Sequence, residues 1–238
     1  MSVLVVSGTN TEIGKTVVTA ALAAAALAQG RSVAVVKPTQ TGVAEGEPGD
    51  VAEVRRLAGD AVTGVELARF PEPLAPDRAA LRAGVAPVRP GDVEPAVKRL
   101  AAEHDLVLVE GAGGLLVRLD DRGATLADVA GLLDAPVLVV AQAGLGTLNI
   151  TTLTAEALRA RGLACRGVVI GSWPAAPGLA DRCNLADLPE AAGAPLLGAV
   201  PEGAAALPPA RFRQEAADWL APELAGTWDA AAFAAAQG

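Results

Sequence analysis

Residues 3–30 read VLVVSGTNTEIGKTVVTAALAAAALAQG, and this stretch decides the fold. Its first part, residues 3–7, is apolar and rich in valine, which is typical of a strand buried on both faces of a parallel sheet. An alanine-rich helical pattern follows over residues 17–28. The loop between them, GTNTEIGKT at residues 8–16, ends where the helix begins. Backbone N–H groups in such a strand–loop–helix unit can bind phosphate, so the stretch predicts a phosphate-binding loop.

The end of this loop fits the standard P-loop pattern, but its beginning does not. Gly14, Lys15 and Thr16 supply the final Gly-Lys-Thr, whereas Gly8 lies one residue earlier than the first glycine of the pattern. The lysine would place a positive charge between the terminal phosphates, and the threonine hydroxyl would reach a magnesium ion. The alternative is a glycine-containing turn with an exposed lysine.

The alternation of strand and helix continues along the chain. Helical patterns separate further apolar runs, and this alternation predicts right-handed crossovers in a parallel sheet. We therefore expect an α/β fold: a single-domain, mostly parallel, doubly wound sheet of the P-loop NTPase type, with helices on both faces. The further strands are expected at residues 32–38, 106–111, 135–142 and 166–172, and less clearly at 195–200.

Two segments depart from this regular pattern. Residues 60–92 are rich in proline and glycine and predict an irregular excursion on the surface. The end of the chain, WDAAAFAAAQG, is low in complexity, and it either docks as a helix or frays. We expect residues 1–225 to form the α/β domain and residues 226–238 to form an alanine-rich tail.

Charge and composition disfavour several classes of protein. The formal net charge is −8 and no cluster of Lys or Arg interrupts it, which disfavours binding to nucleic acid and to an anionic membrane. The longest apolar stretch is too short for a membrane span, and the N-terminus lacks the basic region of a signal peptide. Two cysteines, Cys165 and Cys183, are typical of a reducing compartment, so we expect a soluble cytoplasmic protein. The single histidine, His104, lies away from every motif, which argues against a histidine-based mechanism.

Charged residues follow two further strands. Lys37 ends the second apolar run, and Glu110 ends the run that precedes Gly111 and Gly113. Because the carboxyl ends of parallel strands share one edge of a sheet, we expect both charges near the phosphate-binding loop. A second lysine there can stabilise charge on a transferring phosphate, and a carboxylate after an apolar strand can hold magnesium. The glycines would let the backbone approach a ligand closely.

Two other features leave alternatives open. Asp50 is either a further residue on the metal side of the site or the N-cap of the helix that follows it. Residues 143–151, AGLGTLNIT, place two glycines before a helix that starts at a threonine. This second feature is either an anion site suited to a substrate carboxylate or an ordinary helix cap.

Four motifs, in this order and spacing, resemble the dethiobiotin synthetase family. They are GTNTEIGKT, KPTQTG, VEGAGG and GLGTLNIT. The resemblance covers roughly residues 1–205. It implies a ligase that uses ATP and magnesium to insert CO2 between the two amines of 7,8-diaminononanoate. In that family the reaction passes through a carbamate and a carbamic–phosphoric anhydride and closes the ureido ring of dethiobiotin.

The resemblance also implies roles for individual residues. Lys15 and Lys37 would be catalytic, stabilising the carbamate and the transferring phosphoryl group. Magnesium would lie among Thr16, Asp50 and Glu110. The family is homodimeric, so residues 145–149 would receive the substrate carboxylate from the neighbouring subunit. The implied nucleotide contacts are Glu12, Ile13, Gly14, Lys15, Thr16, Val17, Asp50, Glu110, Gly111, Gly113, Gly171, Ser172, Pro201 and Glu202, and the implied substrate contacts are Thr11, Thr41, Leu145, Gly146, Thr147, Leu148 and Asn149.

One position departs from the family pattern. The strand near the nucleotide base usually ends in asparagine, which contacts adenine, but here the strand reads VVIGSWP, with Gly171 at or near that place. Glycine has no side chain that could donate or accept a hydrogen bond. We therefore expect weak discrimination among bases, with ATP or another nucleoside triphosphate as co-substrate. Trp173 either stacks on the base or packs within its own loop.

Two other functions fit the same fold. A switch ATPase like ParA or MinD would carry an extra lysine early in the phosphate-binding loop, where this chain has Thr9 and Asn10. An amidoligase like cobyrinate-diamide synthetase would carry an attached glutaminase domain, of which the sequence shows no sign. Nucleotide turnover that depends on diaminononanoate and bicarbonate separates the three functions.

Overall fold

A seven-stranded sheet runs through the centre of the computed structural model, which describes residues 2–237. The spatial order is β3-β2-β4-β1-β5-β6-β7, and every pairing between neighbouring strands is parallel. The expected parallel sheet is therefore confirmed. The strands are β1 (Ser2–Gly8), β2 (Val33–Thr41), β3 (Thr63–Phe70), β4 (Leu106–Gly114), β5 (Val137–Ala141), β6 (Cys165–Trp173) and β7 (Leu196–Pro201).

Helices cover both faces of the sheet, as expected for a doubly wound fold. Successive residues of β1 point to opposite faces: Val6 packs with the core that contains α1, α2 and α7, and Val5 packs with the core that contains α4 and α5. The helices are α1 (Lys15–Ala28), α2 (Asp50–Ala58), α3 (Pro76–Ala83), α4 (Pro90–Glu103), α5 (Leu126–Leu133), α6 (Thr147–Arg159), α7 (Leu179–Ala192), α8 (Pro209–Glu215) and α9 (Ala230–Ala236). None of these helices is long and apolar enough to cross a membrane.

The expectation of an irregular segment at 60–92 was wrong, because this segment contains β3 and α3 and the start of α4. β3 lies at the edge of the sheet and pairs only with β2, so most of its side chains are exposed or half-buried. An edge strand of this kind, TGVELARF, lacks the continuous apolar run that marks the central strands. α3 is short, and it buries Ala79 and Ala80 against Phe70 at the end of β3.

The alanine-rich end of the chain docks on the domain. Trp228 is buried within the larger core, and Phe233 of α9 packs partly against that same core. α9 contacts α7 and β7. Of the alternatives for this segment, the docked helix is therefore the one observed over the described residues; Gly238 lies outside them.

The sheet brings the candidate functional residues to one edge. β1, β2 and β4 are neighbours in the sheet, and the phosphate-binding loop, Lys37 and Glu110 all lie toward their carboxyl ends. β5 and β6 continue this edge on the other side of β1. Parallel strands with crossover helices therefore collect at one edge residues that are far apart in the sequence.

Candidate active site

The phosphate-binding loop connects β1 to α1 and follows a left-handed path at two residues. Glu12 has a φ of 55° and Gly14 a φ of 89°. A Cβ atom on Gly14 would lie 2.3 Å from the carbonyl oxygen of Gly171, so the loop needs glycine here both for its backbone conformation and for close packing on β6. The free N–H groups at the start of α1 then face the edge of the sheet.

Lys15 lies at the base of the loop and is only 7% exposed. Its Nζ donates a hydrogen bond to the carbonyl oxygen of Asn10 at 2.8 Å. Burial of the ammonium group, together with the nearby positive charge of Lys37, lowers the pKa of Lys15 from 10.5 to about 8. This lysine is charged at neutral pH, but no carboxylate pairs with it among the described residues. An anionic ligand would supply the missing negative charge.

Lys37 is surrounded by oxygen atoms. It is 3% exposed, and its Nζ donates to Glu110 Oε1 at 3.0 Å and to the carbonyl oxygen of Gly111 at 3.1 Å. It also forms an ion pair with Asp50. Burial disfavours its charged form, but the carboxylates of Glu110 and Asp50 outweigh burial and raise the pKa of Lys37 above its ordinary value. Lys37 is therefore a fixed positive charge midway along β2.

Asp50 does not cap its helix, so that alternative was wrong. Gly49 is the N-cap of α2 and Asp50 is the first helical residue, with its carboxylate directed at Lys37. The backbone N–H of Asp50 donates instead to Gln40 Oε1 at 2.8 Å. Gln40 is buried near the end of β2 and was missed in the sequence, because its role rests on a contact with the start of α2.

Glu110 contacts both Lys37 on β2 and Thr16 on α1. It is 1% exposed, and its Oε1 accepts hydrogen bonds from both Lys37 and Thr16 Oγ1, the latter at 2.9 Å. Its second oxygen, Oε2, is buried and has no hydrogen-bond partner among the described residues. A buried carboxylate oxygen without a partner is costly, so a cation at this point would be favourable.

These oxygen atoms fit a magnesium ion. Glu110 and Thr16 are in contact, and the carboxylate of Asp50, 32% exposed, lies across Lys37 from them. No group of three or more Asp, Glu, His or Cys side chains suited to a metal occurs in residues 2–237. Two carboxylates and one hydroxyl nevertheless match magnesium, which usually keeps several waters and binds through one or two carboxylates and the phosphates of a nucleotide.

A cavity of about 350 Å³ joins the expected residues of the phosphate site. The loop residues 11–17 line it together with Lys37, Thr41, Asp50, Glu110 and Gly113, all of them predicted, and with Gln40, Val43 and Ala112, which were not. Gly111 lies beneath it: a Cβ atom there would be 2.4 Å from Leu126 Cδ2.

A second cavity, of about 430 Å³, adjoins the first. Thr11, Glu12 and Thr41 line both of them. The far wall of the second cavity is the turn between β3 and α3, residues 73–76, with Val117 beside it. This wall was missed because it lies in the segment that was expected to be irregular. The wall is also far in sequence from every motif, so the sequence does not indicate that it borders the site.

A third cavity, of about 370 Å³, lies on the other side of the phosphate-binding loop. Four of the predicted nucleotide contacts line it: Glu12, Ile13, Ser172 and Glu202. Pro201 ends β7 beside Trp173 and does not line this cavity. Gln142, Ala143, Gly144, Pro174 and Asp181 complete its walls.

Gly171 has a packing role that the sequence did not reveal. A Cβ atom on this residue would lie 1.9 Å from the carbonyl oxygen of Ile13 and 2.7 Å from Val140 Cγ1. β6 and the phosphate-binding loop therefore touch through backbone atoms alone at this point. An asparagine cannot be accommodated here without moving the loop.

Trp173 is packed, which decides between its two alternatives. It is buried, and its ring stands edge-on to Phe233 with centroids 5.3 Å apart.

His104 is structural, as expected: its ring nitrogens contact the carbonyl oxygen of Leu100 at 3.0 Å and Thr63 Oγ1 at 2.8 Å. Neither this ring nor that of Trp173 faces the phosphate site.

None of residues 145–149 lines the three cavities. Leu145 is 94% exposed and Asn149 is exposed, whereas Thr147 is buried at the first position of α6. Gly146 has a φ of 93° and Leu148 is partly buried. Asn184 of α7 holds this loop, donating from Nδ2 to the carbonyl oxygens of Ala143 and Gly144 at 2.7 and 3.2 Å. Asn184 was missed in the sequence, because this contact links α7 to a loop about 40 residues earlier in the chain.

Comparison with solved structures agrees with the fold. The cell division ATPase MinD of Pyrococcus furiosus matches with a TM-score of 0.62 and 22% identity over 94% of this chain and 96% of that chain. A ParA family ATPase from Chlorobium tepidum matches with a TM-score of 0.58 and 14% identity over 94% of this chain and 96% of that chain. Identities this low show the fold alone, so the expected P-loop NTPase type is confirmed and the switch-ATPase alternative gains no support.

Sequence comparison identifies the family. A family model described as an AAA domain matches residues 2–210. The ATP-dependent dethiobiotin synthetase of Streptomyces coelicolor is 70% identical over 233 residues, which cover 98% of this chain and 98% of that protein. The ATP-dependent dethiobiotin synthetase of Mycobacteroides abscessus is 50% identical over 94% of this chain and 97% of that protein. With this identity along almost its whole length, the chain belongs to the dethiobiotin synthetase family.

Proposed function

We propose that this chain uses a nucleoside triphosphate to close the ureido ring of dethiobiotin from 7,8-diaminononanoate and CO2. The observation that carries the proposal is the convergence of Lys15, Lys37, Thr16 and Glu110 in one cavity beside the phosphate-binding loop. Two buried lysines with a carboxylate and a hydroxyl fit the transfer of a phosphoryl group, where positioning and charge stabilisation supply most of the catalysis.

The loop residues Glu12 to Val17 would bind the triphosphate through their backbone N–H groups and Lys15. The low pKa of Lys15, about 8, supports this role, because phosphate oxygens would supply the negative charge that the site lacks. Thr16, Asp50 and Glu110 would hold magnesium, which neutralises charge on the β- and γ-phosphates when bound. The buried, unpartnered Oε2 of Glu110 supports this assignment among the described residues.

The diamine would occupy the second cavity, beside Thr11 and Thr41. One amine nitrogen attacks CO2 and loses a proton, which gives a carbamate. A carbamate oxygen then attacks the γ-phosphorus, and the nucleoside diphosphate leaves. The second amine attacks the carbonyl carbon of the resulting anhydride, and phosphate leaves as the ring closes. Lys37 would stabilise the carbamate and the transferring phosphoryl group, since it lines the first cavity and is held there by its hydrogen bond to Glu110.

The carboxylate of the substrate would be bound by a second copy of the chain. Leu145 to Asn149 begin α6, where a helix N-terminus favours an anion. They do not line the cavities that contain Lys15 and Lys37, which supports a shared site in a homodimer. The exposed apolar side chains Leu116, Leu145 and Leu153 support burial of this face between two subunits.

A cytoplasmic location is consistent with two free cysteines and a nucleotide co-substrate.

The base of the nucleotide would lie in the third cavity, near Ser172 and Glu202. Gly171 offers no side chain there, so backbone groups would contact the base edge. We therefore keep ATP as the named co-substrate while expecting that other nucleoside triphosphates also support the reaction.

The test is an assay of phosphate release with and without diaminononanoate. With ATP, magnesium and bicarbonate present, release should require the diamine, and dethiobiotin should accumulate in equal amount. The alanine variant of Lys15 serves as the control for contaminating phosphatases. Phosphate release at the same rate without the diamine would instead favour the switch-ATPase alternative.

A further inference from the structure

The C-terminal segment, defined here as residues 228–237, holds one residue of β6 from two sides. The ring of Phe233 stands edge-on to the ring of Trp173, with centroids 5.3 Å apart and planes at 72°. Trp228 packs on Phe233 with centroids 5.4 Å apart. Nε1 of Trp173 donates to Gln237 Oε1 at 3.3 Å. Trp173 therefore receives both an aromatic and a polar contact from this segment.

Trp173 in turn connects the two walls of the third cavity. Its carbonyl oxygen accepts a hydrogen bond from the backbone N–H of Glu202 at 2.7 Å, and Glu202 Oε2 accepts one from the N–H of Ala175 at 3.3 Å. Its chain neighbours Ser172 and Pro174 line the cavity together with Glu202. An unbroken series of contacts thus runs from Phe233 through Trp173 to the cavity wall.

The helix in this segment is short and is capped by Asp229, whose Oδ1 accepts a hydrogen bond from the N–H of Ala232 at 2.7 Å. α9 has seven residues, AAAFAAA, none of which is fully buried. A helix this short does not form in isolation, so its position depends on the packing of Trp228 and Phe233. The docking of the segment and the shape of the cavity wall are therefore set by the same few aromatic contacts.

We propose that the C-terminal segment is a positioning element for the base of the nucleotide: Phe233 and Gln237 fix Trp173, and Trp173 fixes Ser172, Pro174 and Glu202. The inference rests on the proposed function in one respect, the placing of the base in the third cavity. It predicts that the segment governs binding of the nucleoside part of the ligand and leaves binding of the triphosphate part unchanged.

The test compares Phe233→Leu with Phe212→Leu. Phe212 makes the same kind of edge-on contact, with Trp219 at 5.1 Å and 78°, but it packs against α1 and α2 and not at the cavity. Dissociation constants are measured for ATP and for inorganic tripolyphosphate, both with magnesium. Phe233→Leu should weaken ATP binding roughly three- to tenfold and change tripolyphosphate binding less than about twofold. It should raise KM for ATP without changing kcat or KM for diaminononanoate.

Phe212→Leu should lower the melting temperature and leave both dissociation constants unchanged. An equal loss of ATP and tripolyphosphate binding in Phe233→Leu, or no loss of either, would overturn the proposal. A chain ending at Thr227 should show the same selective loss with a larger amplitude, and Gln237→Ala tests the polar contact should that shortened chain fail to fold. Because binding is measured, failure of the proposed reaction would appear separately, in the assay with diaminononanoate.

Discussion

Lys15 and Lys37 lie in the same cavity but have opposite electrostatic surroundings. Lys15 contacts a carbonyl oxygen, and its pKa is lowered to about 8 by burial and by the charge of Lys37. Lys37 contacts two carboxylates, which raise its pKa. The first lysine therefore gains most from an incoming anion, whereas the second already has partners that hold it in place. We therefore expect Lys15 to act mainly in nucleotide binding and Lys37 mainly in the chemical step.

Binding of a triphosphate near pH 8.5 should take up protons. The pKa of Lys15 is 10.5 in the unfolded chain and about 8 in the folded one. Below pH 8 its buried charge therefore lowers the free energy of unfolding by the full amount, and this loss shrinks as pH rises toward 10.5. Bound phosphates would raise this pKa again, and ATP affinity should fall as pH rises through about 8. Calorimetry in two buffers with different ionisation enthalpies measures the uptake. Identical binding enthalpies in both buffers would contradict it, and Lys15→Met is the control.

Lys37→Met should act on turnover more than on nucleotide binding. The variant removes the positive charge expected at the reacting carbamate but leaves the phosphate-binding loop intact, so turnover should fall by orders of magnitude. The dissociation constant for ATP should stay within about tenfold, near 1.4 kcal/mol. Stopped-flow turnover and equilibrium binding of the same preparation check this. Full turnover in the variant would remove Lys37 from the mechanism.

At the scale of the elements, β6 and the phosphate-binding loop meet through glycines. Gly14 and Gly171 leave no room for a Cβ atom on either side of the contact. This packing explains why Gly171 cannot be read only as a missing asparagine. The position sets how closely β6 approaches the phosphate-binding loop.

Gly171→Ala should therefore weaken binding of every nucleoside triphosphate, and of tripolyphosphate, to a similar degree. The added Cβ would stand 1.9 Å from the carbonyl oxygen of Ile13, so the loop must move. Gly91→Ala is the matched control, because no atom lies within 4 Å of a Cβ atom there. Binding isotherms for ATP, CTP, GTP and tripolyphosphate check the result. A change confined to one base would show that Gly171 contacts the base directly.

The sequence predicts the residues that belong to short motifs or end apolar runs, and it misses those whose roles arise from tertiary contacts. Lys37 and Glu110 were predictable because each one ends an apolar run, and parallel strands bring such runs together at one edge of the sheet. Lys15 was predictable because it belongs to the phosphate-binding-loop motif. Gln40, Asn184 and the cavity wall at residues 73–76 were not, because their roles arise from contacts between segments distant in sequence. β3 was missed for a related reason: an edge strand is half-exposed and shows no continuous apolar run.

In the proposed reaction, a second copy of the chain binds the carboxylate of the substrate. Asn184 holds Ala143 and Gly144, which lead into residues 145–149, yet none of residues 145–149 lines the cavity that contains the two lysines. Mixing Lys15→Ala with a chain altered at Asn149 should restore part of the activity, because a hybrid dimer would contain one intact site. Activity and subunit exchange are measured on the same mixture. Exchange without any recovery would argue for a site formed by a single chain.

In the proposed reaction, a carbamate oxygen attacks the γ-phosphorus. The most direct measurement follows the oxygen: freshly dissolved C18O2 is mixed with the protein, magnesium, ATP and diaminononanoate, and the released phosphate is analysed by mass spectrometry within seconds. Attack by the carbamate, followed by loss of phosphate from the carbonyl carbon, predicts phosphate that carries one 18O atom and forms only when the diamine is present. Unlabelled phosphate, formed alongside dethiobiotin or without the diamine, would contradict this account.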